Sequence, residues 1–380
     1  MKLLSLFYQF FLLGCTSFGG PAAHLGYFQR HFVDNKKWLN QQQYGQLISL
    51  SQLLPGPGSS QVGFAIGLER AGLAGAVTAF IGFTLPSVLI MMLLAIGATQ
   101  LQWATQGVIT GLKLFAVVIV CDALLTMAKS FCNSHITKLL ALLSAIALIF
   151  APSLYTQLII LGVAGIVGMV FLQPFEQAST KPSSSLSLGP LIIFVVLFAM
   201  SFVATSGLWL LAAQFYQAGS LVFGGGHVVL PLLDTILIDV DADAFLSGYA
   251  AAQAIPGPMF TFATYLGAVL LPQSPIIGAL IATAAIFLPG FLLVLAFYKH
   301  WSALMANPLI SGMSRAINAT VVGFIVAALY NPIIPAGLSH WWYVVFAALG
   351  LWVLRQYKTP ILAMIAAYIA LGLLLLQFGF

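Results

Sequence analysis

The chain has very little charge. Only 6% of its 380 residues are Asp, Glu, Lys or Arg, against 61% hydrophobic residues and a mean hydropathy of +1.06. A soluble globular chain carries about 25% charged residues. So few charges cannot cover a water-facing surface, which points to a polytopic membrane protein and leaves little chain for a soluble domain. The net charge is +5 with the lysines and arginines scattered, so the basic run that a nucleic-acid partner needs is missing. Cysteine is scarce too. Cys15, Cys121 and Cys132 stand alone, form neither a disulfide framework nor a metal motif, and read as small apolar packing residues. Also missing are G-x-x-x-x-G-K-[ST], H-E-x-x-H, C-x-x-C and G-x-S-x-G. Their absence argues against an ATPase or a membrane hydrolase. We expect no enzyme, no metal and no cofactor, and any transport must run on an ion or substrate gradient.

What is present is long apolar segments, at roughly 3–20, 42–68, 71–97, 107–128, 138–150, 155–172, 190–205, 207–226, 244–270, 275–298, 312–330, 339–354 and 361–379. The expected fold is all-α, with about thirteen transmembrane segments embedded in the lipid bilayer. One connector, 173–189, is plainly polar and rich in serine and proline, and reads as a flexible linker. The start of the chain, "FLLGC", faintly resembles a lipoprotein cleavage box. Yet "QFFLLGCTSFGG" at 9–20 has a partner in "QFYQAGSLVFGG" at 214–225. An element repeated mid-chain reads as a mature span, not a targeting peptide.

That repeat organises the whole sequence. Phe18-Gly19-Gly20 matches Phe223-Gly224-Gly225. Gln52 and Pro55-Gly56-Pro57 match Gln253 and Pro256-Gly257-Pro258. Leu85-Pro86 matches Leu288-Pro289, and "AVV" at 116–118 matches "TVV" at 320–322. The landmarks keep their order at offsets of 205, 201, 203 and 204 residues. The chain therefore divides into a first repeat over 1–172, a linker with one extra helix over 173–206, and a second repeat over 207–380. If every segment crosses once, seven crossings separate equivalent positions. An odd number inverts the second half, an architecture common in secondary transporters.

Loop charge orients the chain. With the N-terminus in the cytoplasm and thirteen single crossings, Lys2, Arg70, Lys129, Lys138, Lys181, Lys299, Arg355 and Lys358 fall inside. Arg30, Lys36 and Lys37 then fall outside, and the acidic loop Asp234, Asp239, Asp241 and Asp243 inside. Both of these oppose the trend.

The two Pro-Gly-Pro breaks carry the chemistry. A proline removes one backbone N–H and clashes with the carbonyl four residues earlier. Pro55 and Pro57 are expected to free the carbonyls of Ser51 and Leu53, and Pro256 and Pro258 those of Ala252 and Ala254. Freed backbone groups cannot face lipid. A new helix starting near Pro57 presents the N–H groups of Gly58, Ser59, Ser60 and Gln61, and the second copy those of Met259, Phe260 and Thr261. A helix N-terminus suits an anion. Two such ends meeting near the midplane make an oxyanion site without a lysine; the bland alternative is a pair of packing kinks. Gln52 and Gln253 either donate to the anion or satisfy the freed carbonyls.

The Phe-Gly-Gly turns are a second candidate, since glycines permit positive φ and exposed N–H groups. His24 and His227 follow them, though His227 aligns with Ala22. Each is a proton-coupling candidate or a packing histidine. Lys113 and Asp122 are nine residues apart and so sit on opposite faces of one helix. Lys113 snorkels or lines the path. Asp122 is expected to face the interior and is the leading single proton-carrier candidate. Arg315 snorkels or meets the anion. Glu69 and Arg70 read as a solvated pair in a tight turn.

Taken together, "SFGGPAAHLGYF", "LLPGPGSSQVGFAIGLERAG" and "FTLPS", then "LVFGGGHVVLPLL" and "AAQAIPGPMFTFATYLGA", resemble the chromate ion transporter family in its long, two-domain form. The resemblance is strong at 17–90 and 215–290 and rests on hydrophobicity alone at 131–205 and after 330. It implies a multi-pass bacterial inner-membrane protein that exports chromate, confers resistance and relies on the proton-motive force. Family positions map to Phe18, Gly19, Gly20, Gln52, Pro55, Gly56 and Pro57, and to Phe223, Gly224, Gly225, Gly226, His227, Gln253, Pro256, Gly257 and Pro258. Sulfate is a tetrahedral dianion like chromate, and backbone N–H donors discriminate poorly between them. The rival readings are a sulfate-type importer and a non-transporting membrane scaffold. A homodimer is compatible with either.

Overall fold

A computed structural model describes residues 2–98, 105–173, 187–224, 226–237, 240–300, 307–357 and 359–377. Gly225, Lys181, Asp239, Lys358 and most of the polar linker lie outside the described residues. Among the described residues every regular element is helical. Five helices are long and apolar enough to cross a membrane, and several shorter apolar helices accompany them. The molecule is a helical membrane protein.

The first half runs through α1 (Lys2–Thr16), α2 (Gly20–Phe28, prolonged by a π turn to Asn35), α3 (Gln41–Leu53), α4 (Gly58–Ala98), α5 (Thr105–Phe131), α6 (His135–Phe150) and α7 (Leu154–Phe171). Then come α8 (Leu188–Ser201), α9 (Gly207–Leu221), α10 (Val229–Ile236), α11 (Ala242–Ala254), α12 (Phe262–Leu270), α13 (Pro275–Phe297), α14 (Pro308–Ala328), α15 (Trp341–Tyr357) and α16 (Ile361–Gln377). α4 is two limbs, because Ala71 and Gly72 leave helical geometry. Helix starts agree between the halves. Asn40 closes a capping box with Gln43 to start α3, and Asp241 accepts from the N–H groups of Asp243 and Ala244 to start α11.

The expectation of thirteen single crossings does not hold, because four segments turn back on themselves. α1 and α2 form a hairpin. His31 Nε2 and Gln9 Oε1 lie 2.7 Å apart, and the Phe10 and Phe32 ring centroids 4.8 Å apart. α3 and the first limb of α4 form a second hairpin, so that Gln43 and Gln46 share a cavity with Glu69. α9 and α10 form a third, in which Gln214 Nε2 donates to the Ile236 carbonyl at 3.3 Å. α11 and α12 form a fourth, with Phe245 and Phe262 centroids 5.1 Å apart and Gly248 against the Tyr265 ring. A straight course would part Gly248 from Tyr265 by about 25 Å at 1.5 Å per residue. Each break is therefore the tip of a helical hairpin. The freed-carbonyl expectation changes with it: α3 and α11 end before their prolines, and each chain reverses.

The hairpins also resolve the two charge anomalies. Lys2, Trp38, Arg70 and Ala71 line one cavity, so the 30–37 segment lies at the same end of the molecule as Lys2, not opposite it. Lys299 joins Glu69 and Gln43 at that first end. Asp241 and Asp243 begin the fourth hairpin at the second end. There Lys113, near the start of α5, pairs with Asp243 at 2.7 Å.

The halves interlock. α5 packs on α15 and α16 of the second half, while α14 packs on α6 and α7 of the first. Close glycine approaches make this possible: Gly107 and Gly111 on the α16 backbone, and Gly168 on Gly312. The core shared by both halves is rich in buried aromatics, including Phe10, Phe28, Phe83, Phe115, Phe215, Phe287 and Phe324.

Candidate functional site

The four hairpin tips meet each other across the two halves. The Gly56 N–H donates to the Val222 carbonyl at 2.7 Å, and the Gly257 N–H donates to the Ser17 carbonyl at 2.9 Å. Each Pro-Gly-Pro tip is thus bonded to the Phe-Gly-Gly tip of the other half. The exchange is reciprocal. The glycines are needed at these turns. Gly56 has φ +123°, and a Cβ there would lie 2.9 Å from the Gly290 Cα. Gly257 has φ +99°, and its Cβ would lie 2.8 Å from Ser87 Oγ. Gly290 and Ser87 follow the two matched Leu-Pro pairs, so each tip presses on the same position of the opposite half.

α4 begins at Gly58, directly after Pro57. The N–H groups of Gly58, Ser59 and Ser60 have no preceding turn to bond, whereas the Gln61 N–H bonds the Pro57 carbonyl at 2.9 Å. The Gln61 side chain braces the tip, donating from Nε2 to the carbonyls of Pro55 (2.8 Å) and Gly290 (3.3 Å). Satisfying backbone carbonyls at the break is one of the two roles expected of Gln52. Gln52 itself is exposed on α3, while Gln253 is buried and sits 3.4 Å from His227 Nδ1 and 2.9 Å from Met259 Sδ. In the second copy the helix opens with a 3-10 turn, Met259–Thr261, and Thr261 Oγ1 donates to the Pro258 carbonyl at 2.7 Å.

The histidines sit at the tips. His24 is buried, and its Nδ1 shares a 3.2 Å hydrogen bond with Ser59 Oγ, while its Nε2 has no partner. His227 Nδ1 lies 2.9 Å from the Tyr249 hydroxyl. Ser17 Oγ, Ser60 Oγ, Gln61 Oε1 and Thr84 Oγ1, at the tips and on α4, are also buried without partners. A buried polar atom without a partner costs about 1–3 kcal/mol, so these atoms are candidates for contact with a polar ligand. Asn318 joins from α14, its unpartnered Oδ1 3.3 Å from a Cβ placed on Gly224. Ser17, Ser60, Gln61, Thr84, Ser87 and Asn318 are the side chains the sequence did not single out.

The tips are not equally accessible. Gly19 is exposed, and Phe18, Gly20, Pro55, Gly58, Phe223 and Gly224 are half-buried, whereas Gly226, Pro256, Gly257 and Pro258 are buried with Gly56, Pro57 and Ser59. No lysine or arginine is hydrogen-bonded or ion-paired to a tip residue among the described residues. The remaining candidates lie elsewhere. Lys113 is held by Asp243. Asp122, expected to face the interior, is 30% exposed and lies 3.4 Å from Arg355. Arg315 is exposed near the start of α14.

Paired broken tips, repeated in each half, are the arrangement the sequence resemblance implies. The profile of the chromate transporter family matches residues 4–169 and 209–373, once for each half. The chain belongs to the chromate transporter family. It is 27% identical to a chromate transport protein of Pseudomonas aeruginosa, over 98% of this chain and 92% of that one. It is 30% identical to a probable chromate transport protein of Synechococcus elongatus, over 84% and 82%. An uncharacterised transporter of Methanocaldococcus jannaschii is 26% identical over 85% and 83%. No solved structure matches the chain.

Proposed function

We propose that this chromate transporter family member is a secondary carrier that exports chromate across a bacterial inner membrane. The observation that carries the reading is the reciprocal junction of the four tips. It gathers the unbonded N–H groups of Gly58, Ser59 and Ser60 with the Ser59–His24 pair and several unpartnered polar atoms, without a basic side chain bonded there. A helix N-terminus with a fan of donors binds a tetrahedral dianion by charge and hydrogen bonding alone. A site of this kind releases its anion more readily than one built on paired arginines, as turnover requires.

The two repeats, 1–172 and 207–380 with 173–206 between them, are inverted in this reading. The hairpins of the first half open at one end, and those of the second half at the other. Two non-crossing hairpins per half leave α8 and the four long helical limbs of the first half between equivalent positions, still an odd number. Inverted repeats with discontinuous helices around a midplane site are a secondary-transporter architecture. Charge supports a cytoplasmic N-terminus. Lys2, Arg30, Lys36, Lys37, Arg70 and Lys299 gather with Glu69 at the first end, while the second carries Asp241, Asp243 and Lys113. The proton-motive force drives export, with His24 and His227 as the ionisable groups that touch the tip residues.

The test is chromate accumulation in cells expressing the chain against vector, at low and high sulfate, with and without an uncoupler. Export predicts lower accumulation that rises when the uncoupler is added. Higher accumulation suppressed by sulfate identifies a sulfate-type importer instead, and no difference from vector in either condition identifies a non-transporting scaffold.

A further inference from the structure

The two halves match in sequence, yet their second hairpins are packed differently. Aligning the Pro-Gly-Pro motifs sets Gln42 against Asp243, Gln46 against Ser247, Ser49 against Ala250 and Gln52 against Gln253. These four positions share a helix face, within an arc of about 120° at 100° per residue. On α11 that face is shut: Ser247, Ala250 and Gln253 are 9%, 0% and 6% exposed. On α3 the same face is open: Gln42, Gln46 and Gln52 are exposed and Ser49 is half-exposed. The packing explains the difference. α11 lies along α5, whereas the equivalent pair, α3 and α14, makes no comparable contact.

The open face of α3 is not a lipid face. Helix faces that meet lipid elsewhere in the chain show large apolar side chains, as the second limb of α4 does with Leu73, Val77, Ile81, Leu89 and Leu93. α3 exposes none. A stripe of three amides and a hydroxyl running about 15 Å toward the tip is costly in hydrocarbon and stable against water. A cavity of about 240 Å³ opens at its mouth, between Gln43, Gln46 and Glu69, Tyr298, Lys299. At its inner end Gly19 is exposed and Pro55 and Gly58 are half-exposed. On the shut side, Lys113 of the first half clasps Asp243 of the second at 2.7 Å, with side chains 18% and 49% exposed. The positions equivalent to this pair at the first end are Ile317 and Gln42, which cannot form an ion pair.

From this asymmetry we infer that the structure is the state open to the Lys2 end, in which the Gln42–Gln46–Ser49–Gln52 stripe lines the anion's approach to the tips and the Lys113–Asp243 pair latches the opposite approach shut. Among the described residues the equivalent positions at the first end carry no ion pair, so the Lys113–Asp243 pair biases the carrier toward this state. Opening the other side requires α11 to leave α5, which breaks the pair. Closing this side brings α3 onto α14 with no ion pair at the equivalent positions, Gln42 and Ile317, to hold it.

The inference rests on the carrier reading for its purpose, but its test needs no transport. Single cysteines replace Gln46, Gln52, Ser247 or Ala250 in a chain carrying Cys15→Ala, Cys121→Ala and Cys132→Ala. A membrane-impermeant maleimide is applied to each side of sealed vesicles. Protease access to an N-terminal tag defines the Lys2 side. Gln46→Cys and Gln52→Cys should label rapidly from the Lys2 side, and Ser247→Cys and Ala250→Cys from neither. Adding Lys113→Ala or Asp243→Asn should raise labelling of Ser247→Cys from the far side about fivefold, the shift that about 1 kcal/mol produces. The exchange Lys113→Asp with Asp243→Lys should restore protection. Gln52→Cys and Gln46→Cys labelled by a lipid-soluble maleimide alone would put α3 against lipid and overturn the open approach. Unchanged labelling of Ser247→Cys and Ala250→Cys after loss of the pair would overturn the latch. A wild-type chain that moves no anion would sink the carrier reading and leave the labelling pattern standing.

Discussion

The reciprocal tips predict an asymmetric response to adding one methyl group. Gly257→Ala places a Cβ 2.8 Å from Ser87 Oγ and 3.1 Å from Ser87 Cβ, at φ +99°. Gly56→Ala places one 2.9 Å from the Gly290 Cα, at φ +123°. Both substitutions carry the backbone term, about 1–3 kcal/mol for a non-glycine residue in this region. Both also carry an overpacking term of about 1–3 kcal/mol. The two differ in what they strike. Gly257→Ala strikes a removable side chain, Ser87, whereas Gly56→Ala strikes the Gly290 backbone as well as Gln61 Nε2, also at 2.9 Å. Adding Ser87→Gly to Gly257→Ala should therefore recover the overpacking term and leave the backbone term. Gly56→Ala has no such remedy. A double-mutant cycle on the purified protein, read as thermal stability in detergent, isolates the coupling. We expect about 1–3 kcal/mol of it between Gly257 and Ser87. Additive effects in that cycle, or a Gly56→Ala protein as stable and active as wild type, would refute the tip-to-helix contact.

Other substitutions separate the roles further. Gln61→Ala removes two bonds to tip carbonyls and should lower stability by about 1–3 kcal/mol, with loss of chromate transport; thermal melts and uptake read the two effects. Asp122→Asn should leave transport within twofold of wild type and shift stability by less than about 1 kcal/mol, because its pairing with Arg355 is long and partly exposed; a dead carrier would restore Asp122 as proton carrier. Pro57→Ala with Pro258→Ala should abolish transport without loss of membrane insertion, as followed by uptake and by membrane immunoblot. Retained transport in that protein removes the tips from the site.

The breaks, the repeat and the tip glycines were legible in the sequence, because each is a local pattern. Direction was not. Hydropathy measures how much apolar length a segment has, and a hairpin of two short helices scores like one long span. Two signals did hint at the reversal. α3, "QQQYGQLISLSQL", is too polar to sit against lipid. The basic cluster at 30–37 and the acidic loop near 240 both fell on the wrong side when every segment was made to cross. The hairpins bring the 30–37 segment to the Lys2 end, which single crossings would not. Gln61 was missed because its work is done through a side chain that reaches back six residues and across to Gly290, 229 residues away. Asp122 looked interior from its place mid-segment, yet α15 ends beside it and supplies Arg355. The asymmetry between α3 and α11 shows in sequence only as Gln42, Gln46 and Ser49 against Asp243, Ser247 and Ala250; which helix packs on each is not written there.

The most direct test of the account is chromate flux in proteoliposomes that contain the purified chain, under an imposed proton gradient. Wild type and Gly56→Leu are compared at equal incorporation. The account predicts protein-dependent chromate movement that the gradient drives and that Gly56→Leu abolishes. Equal flux in the two proteins would contradict the tip site, and no flux in wild type would contradict the carrier itself.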